Sequence, residues 1–451
     1  MDCTVTKGSV WKTLIRFSIP FIFSYFLQTL YGMADLFIIG QFYEVESITA
    51  VSIGSQIMHM ITVMIVGLAM GTIVSVGRAV GANKKEEVQR YIGNSILLFC
   101  LLALISTIVL LIFIDPIIDV MSTPAEAVQE TKQYLWICFI GIPFITSYNL
   151  LSAIFRGMGD SKRPMYIIAI ACGLNIIFDY ILIGGLHIGV AGAAIATIVA
   201  QLLSVLIALI TIVKKRRAQL PTRRNFHLQW PVVKELLSIG IPIMIQDGCI
   251  QIAFLIITIF VNQRGLYDAA AVGIVEKMIC LLFLVPSSML QSVSSLSAIN
   301  LGARKNERAH QILRYACLIT IVWGLAIVCL MHLYIPFFMQ LFTSEQQVII
   351  LGSQYMKGYV WDCIFAGLHF SFSGYFCAYG LSSLSFLHNL ISIVFVRIPC
   401  SYLAATKCLT SLYPMGLAVS FGSFVSVLIC LVAYRWMKPR EAFLIEKIDC
   451  S

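Results

Sequence analysis

Charge is what this chain has least of. Only 12% of its 451 residues are Asp, Glu, Lys or Arg, against 59% hydrophobic, and the mean hydropathy is +0.90. Soluble domains keep roughly a quarter of their residues charged, so this balance excludes one and leaves an integral membrane protein. Other signatures are missing too. No GxxxxGK[ST] loop occurs and no stretch is long and polar enough to form a nucleotide-binding domain, which argues against ATP-driven pumping. HExxH, HxxxH and nucleophile-elbow patterns are absent and the 7 histidines are scattered. The chain is therefore expected not to be an enzyme and to need no cofactor. Its 14 cysteines include Cys100, Cys138, Cys172, Cys280 and Cys430 inside apolar runs, without CxxC or His-rich spacing, so they read as small core residues rather than a disulfide framework.

What is present is long apolar segments, at about 14–40, 48–77, 92–114, 134–155, 165–186, 189–213, 232–262, 269–300, 311–339, 348–376, 384–406 and 413–436. At roughly 20 residues per span this length holds about a dozen helices with short loops. The segments carry interior Gly and Pro and lack the alternation of short barrel strands, so the expected fold is all-α and polytopic. The apolar run that follows the basic N-terminus is too long for a cleaved leader and reads as a retained first span.

The net charge of +9 lies in the gaps between spans, which makes it a topology signal rather than a nucleic-acid surface. Lys and Arg mark alternate connections: the N-terminus, Arg78 to Arg90, Arg156 to Arg163, the KKRRAQLPTRR run at 214–224, Arg304 to Arg314, and the tail from Arg435. The connections 41–47 and 115–131 hold acids and no Lys or Arg. Both termini are thus expected in the cytoplasm and the protein in the inner (cytoplasmic) membrane. The turn 378–385, with no basic residue, and the isolated Arg264 and Lys407 break the pattern.

The most basic run divides six spans from six, and the halves repeat. FSIPFIFSYF at 17–26 resembles LSIGIPIMIQ at 237–246, VGANKKEEVQRYI at 80–92 resembles LGARKNERAHQIL at 301–313, and GVAGAAIATIVAQLLSVLIAL at 189–209 resembles MGLAVSFGSFVSVLICLVAY at 415–434. The expected organisation is an N-lobe at 1–213, a cytoplasmic linker at 214–231 and a C-lobe at 232–451. An even number of spans per half gives both lobes one orientation, related by an axis along the membrane normal, with a substrate cavity expected at the centre.

Acids inside spans cost about 2.5–3.5 kcal/mol each on insertion scales, so each needs a reason. In the first span Asp35 follows Tyr31 by four residues; in the fifth, Asp179 follows Asn175 by four, so each pair shares a helix face. Two carboxylates in a low dielectric resist ionising together, and a pair so placed can load and release a proton or small cation. Capping or hydrogen bonding within a kinked helix is the bland alternative. In the second half Asp247, Glu276 beside Lys277, and Asp362 are secondary candidates. Gly67, Gly71 and Gly77 read as packing residues, and Met58, Met60, Met64 and Met70 as core.

Together LYGMADLFIIGQF, VGRAVGANKKEEVQRYIGNSI, FRGMGDSKRPM, NIIFDYILI and GVAGAAIATIVAQ resemble the multidrug and toxic compound extrusion (MATE) family, in particular its bacterial branch named after DNA-damage-inducible protein F. The resemblance implies two pseudo-symmetric six-helix lobes, no ATP, and export of organic cations or other amphipathic small molecules by H+ or Na+ antiport through rocker-switch alternation. Carried over by motif position, it implies a cation site at Asp35, Asp179 and Asn175, with Tyr31, Tyr134 and Thr197 beside it and Na+ as one occupant. The chain departs from the family at Ile250, where one branch has a Glu, and at 378–385, which lacks the Gly-rich, Pro-ending turn. A monomer in the lipid bilayer is expected. The alternatives are a flippase for lipid-linked precursors, for which Lys277 and Arg397 are the intramembrane basic candidates, and a non-transporting assembly protein.

Overall fold

The structure is a computed structural model that describes residues 4–216, 221 and 225–441. Most of the basic run at 214–224, and the ends of the chain to which the topology expectation refers, lie outside the described residues. Among those described, every regular element is helical and there is no strand.

Among the described residues ten helices are long and apolar enough to cross a membrane, and the pair α5 (Val128–Ile140) and α6 (Ile142–Gly157), bent by 49° at Gly141, makes an eleventh if it is one span. This agrees with the about twelve apolar segments read from the sequence. The remaining segment, at 348–376, is covered by α13 (Gln346–Tyr359) and α14 (Asp362–Ala378), separated by the two-residue turn Val360–Trp361. A hydropathy window averages over such a break and cannot register it.

The chain separates into two compact units, Phe23–Gly240 and, together, residues 2–22 and 241–451. Two helices change unit part way along. The α1 helix (Val10–Phe42) does so just after Pro20, and α9 (Trp230–Asn262) just before Pro242. A proline inside a helix removes one backbone hydrogen bond and crowds the preceding turn, so both are natural bending points.

In unit 1, α2 (Val45–Gly81) is the central helix, packed against α5, α6 and α3 (Lys85–Ile112), while α8 (Val190–Arg216) lies against α5, α6 and α7 (Lys162–Asp179). A short helix, α4 (Ile114–Val120), joins α3 to α5. The core holds Ile38, Val51, Ile57, Leu135, Phe139 and Ile142. Gly71 carries the closest approach, because a Cβ there would strike the Leu236 carbonyl of α9. The same end of the unit is fastened by Glu235, which accepts from Ser75 at 3.2 Å and pairs with Arg78 at 3.4 Å.

Unit 2 contains α10 (Leu266–Leu282), α11 (Leu284–Gly302), α12 (Asn306–Gln340), α13, α14, α15 (Ser382–Ser392), α16 (Ile398–Lys407) and α17 (Tyr413–Met437). Its polarity is inside out. Ser288, Ser292, Ser295, Ser371 and Ser373 are wholly buried where α11 meets α14, as small residues let helices approach closely in a membrane. Meanwhile α3 in unit 1 exposes Leu101, Leu104, Ile105, Ile108 and Ile112 along one face, a stripe suited to lipid. In unit 2 Lys305 donates to the Thr6 carbonyl at 2.8 Å and Arg308 to that of Gly8 at 2.8 Å.

The internal repeat extends to backbone detail. Asn83 (φ 59°) and Arg304 (φ 56°) end α2 and α11 in the left-handed conformation, and Gly159 (φ 79°) and Gly380 (φ 74°) end α6 and α14 likewise. The members of each pair lie 221 positions apart. The turn at 378–385 therefore keeps the backbone of its N-terminal counterpart although its sequence looks different. Both halves also carry a π turn, Tyr180–Gly185 after α7 and Ile393–Arg397 after α15.

Candidate functional site

Three helices of unit 1, α1, α7 and α8, assemble a buried acidic cluster. The α7 helix ends at Asp179, where the π turn begins, and Asn175 lies one turn earlier on the same face. Such π insertions often occur at functional positions because the widened turn re-aims side chains. Asn175 and Asp179 are fully buried and Asp35 on α1 is 2% exposed. With its amide nitrogen turned toward the acids, Asn175 donates to Asp35 Oδ1 at 3.0 Å and to Asp179 Oδ2 at 3.2 Å. Thr197 of α8 donates to Asp35 Oδ2 at 3.3 Å. Asn175 thus bridges the two carboxyls.

The other two predicted residues sit beside this cluster without bonding to the acids. The Tyr31 hydroxyl is buried and makes no hydrogen bond to either acid among the described residues. Tyr134, on α5, is buried with its ring against Gly54 of α2, where a Cβ would overlap the ring. The structure thus places all six predicted N-lobe residues in one neighbourhood.

No Lys or Arg forms an ion pair with Asp35 or Asp179 among the described residues. Two buried carboxyls facing each other without a basic partner need neutralising, because an unpaired buried charge is far costlier than a paired one. A shared proton would do this, as would an alkali cation or the ammonium of a ligand. The oxygens of Asp35, Asp179 and Thr197 are hard donors suited to Na+; Asn175 would join them by turning its carbonyl inward. No group of three or more His, Cys, Asp or Glu side chains able to hold a metal ion occurs among the described residues.

The secondary candidates in unit 2 are dispersed. Asp362, 1% exposed, lines a cavity of about 80 Å3 together with Phe254, His369, Asn389, Arg397 and Ser423. Glu276 is half-buried on α10, within electrostatic reach of Arg397 and Lys277. Asp247 is half-buried on α9 and belongs neither to this cavity nor to the acidic cluster. Ile250, at the place where one branch of the resembled family has a Glu, lines the cavity with an apolar side chain.

Sequence reasoning did not single out His369 and His388. Both are buried, with ring centroids 5.5 Å apart, and His388 is held between Ser373 at 2.9 Å and Ser426 at 2.6 Å. Their rarity inside apolar spans was the available signal, because an ionisable residue at membrane depth is a functional candidate by default.

Comparison with known proteins gives a consistent picture. The MatE family model matches twice, at residues 20–181 and 242–403, once in each half. The chain is 24% identical over 98% of its length to the probable multidrug resistance protein YoeA of Bacillus subtilis (strain 168), covering 97% of it. It is 25% identical over 83% of its length to the multidrug export protein MepA of Staphylococcus haemolyticus (strain JCSC1435), covering 82% of that protein. Its backbone matches a MATE crystallised in the straight conformation at a TM-score of 0.88, with 24% identity, 99% of this chain and 98% of the other covered. A MOP superfamily transporter from Pyrococcus furiosus matches at 0.89, with 24% identity and 98% of each chain covered.

Proposed function

The chain belongs to the MatE family of multidrug efflux transporters, and on that footing we propose that it exports organic cations or other amphipathic compounds in exchange for H+ or Na+, with the Asp35–Asp179 cluster as the coupling site. The observation that carries this reading is the pair of buried acids bridged by Asn175 and lacking any basic partner among the described residues. Structural acids in a membrane protein are normally compensated by a neighbouring cation. These two are left to be neutralised by something that comes and goes.

The chemistry of exchange follows from competition. While both acids are unneutralised, the cluster attracts a cationic ligand. Entry of a proton or Na+ from outside removes that attraction and the ligand leaves. Loss of the coupling ion to the cytoplasm restores the charge. Antiport requires only that ion and ligand bind with negative coupling, whatever the path between them. Pro20 and Gly32 give α1, which carries Asp35, places to bend during alternating access. The working environment is the cytoplasmic membrane with both termini inside, as a monomer without ATP or a resident cofactor.

The test is dye efflux from energised vesicles, with wild type and Asp179→Asn compared under an imposed pH gradient and then a Na+ gradient. Efflux that follows one gradient and is lost in the variant supports the reading and identifies the ion. Undiminished efflux in the variant would return Asp179 to a structural role.

A further inference from the structure

Unit 2 holds a second built site with a different chemistry. Its cavity of about 80 Å3 has room for two or three waters or a small polar head group at about 30 Å3 per water. Opposite charges meet there without joining. Arg397, 8% exposed, ends the π turn that follows α15. One of its terminal nitrogens donates to the Tyr359 hydroxyl at 3.4 Å and the guanidinium lies 4.7 Å from the centre of the Phe254 ring, while its Nε has no partner. Across the cavity Asp362 has an unpartnered Oδ1 and His369 an unpartnered Nδ1. No ion pair connects Asp362 with Arg397 among the described residues. Glu276, near Arg397 but outside the cavity lining, also has an unpartnered oxygen.

Two buried, incompletely satisfied groups of opposite sign in one cavity ordinarily collapse onto each other, because each unpaired charge is costly. Here they are held apart. Arg397 is anchored by Tyr359 and Phe254, and Asp362 opens α14 at the break from α13. A ligand carrying both complementary charges would satisfy both. Arg offers a planar fork matched to a carboxylate, Asp362 accepts from an ammonium, and Phe254, Phe283 and Phe370 supply apolar and aromatic walls for an attached body.

We propose that this cavity is a binding site for the ammonium–carboxylate head of a zwitterionic amphiphile, with the carboxylate on Arg397 and the ammonium on Asp362. The site widens the cargo beyond simple cations, and in calling its ligand cargo it rests on the exporter reading above. Binding needs no gradient, however, so absence of binding here and absence of coupled efflux are separate results.

The experiment is equilibrium binding to the purified protein in lipid nanodiscs, using three probes of nearly equal shape. Phenylalanine carries both charges, phenylalaninamide only the positive one and N-acetylphenylalanine only the negative one. The expected order places phenylalanine at least tenfold tighter than either single-charge probe. In Arg397→Gln the advantage of phenylalanine over the amide disappears, and in Asp362→Asn its advantage over the N-acetyl probe disappears. The wild-type comparison needs no variant, so it decides even if Arg397→Gln fails to fold. The amide binding as tightly as phenylalanine, or no binding of any probe, would overturn the proposal and leave Arg397 as an anchor for Tyr359 and Phe254.

Discussion

The two units share one backbone plan and hold different chemistry on it. Tyr134 on α5 and Tyr355 on α13 lie 221 positions apart, both buried. The helix break that follows is at Gly141 in unit 1 and at Val360–Trp361, just before Asp362, in unit 2. At that level unit 1 has no side chain and unit 2 has a carboxylate. In the leading helix the situation reverses. Asp35 stands fifteen residues after Pro20, while the residue fifteen after Pro242 is Ile257, in the unit 2 core. Each acid has a hydroxyl from the last helix of its half beside it, Thr197 for Asp35 and Ser423 for Asp362. The two halves share where helices break, while the side chains that occupy the matching places differ. Unit 1 holds two buried acids that share Asn175 and, among the described residues, have no base beside them. Unit 2 set one acid against an arginine, a site whose charge is already balanced.

If that contrast is right, charge removal should cost more in unit 1. Asp179→Asn keeps the shape of the side chain but removes its charge, and gradient-driven ethidium efflux should fall by about 10- to 100-fold, since hydrogen bonds to charged groups are worth about 1.5–3 kcal/mol. Backbone contacts, in contrast, should matter equally in both units. Gly71→Leu in unit 1 and Gly416→Leu in unit 2, where a Cβ would strike the Tyr355 carbonyl, should each cost about 1–3 kcal/mol by overpacking. That would appear as a lower melting temperature in detergent; a cost in only one unit would break the symmetry claimed for the fold. Thr197→Val removes a single hydrogen bond to Asp35 and should shift the half-maximal coupling-ion concentration by about 2- to 10-fold, with maximal efflux retained. The smallest effect is expected from Asp247→Asn in unit 2, which lies in neither site and should change ethidium efflux by less than about threefold, or under 1 kcal/mol.

How far the sequence reached follows the same division. Span positions and the repeat were legible because apolar runs and short motifs such as VGANKKEEVQRYI are local. The acidic cluster was legible residue by residue, as Asn175 and Asp179 share a helix face by spacing alone and the rarity of acids in spans marks Asp35. That these three meet Thr197 came from family resemblance, since no local pattern brings α1, α7 and α8 together. Other features left little trace. The division of the tenth span between α13 and α14 is hidden by averaging hydropathy, and π turns carry no residue signature in YILIGG or IVFVR. Arg397 stood out in the sequence only as an isolated intramembrane cation. Its relation to Tyr359, Phe254 and Asp362 depends on contacts across more than a hundred residues, except for those 35 to 38 positions away in the neighbouring helices. The anchoring of Glu235 on Ser75 and Arg78 was likewise invisible, because it joins the start of α9 to helices of the first half.

The central claim is that ion and drug compete through unit 1. The most direct test is binding of tetraphenylphosphonium to the purified protein across a range of H+ and then Na+ concentrations, in wild type, Asp179→Asn and Asp362→Asn. The account predicts that rising concentration of one of these ions weakens binding in wild type and in Asp362→Asn, and that in Asp179→Asn the residual binding no longer responds to it. Competition that persists in Asp179→Asn and vanishes in Asp362→Asn would contradict the account and place the coupling in unit 2.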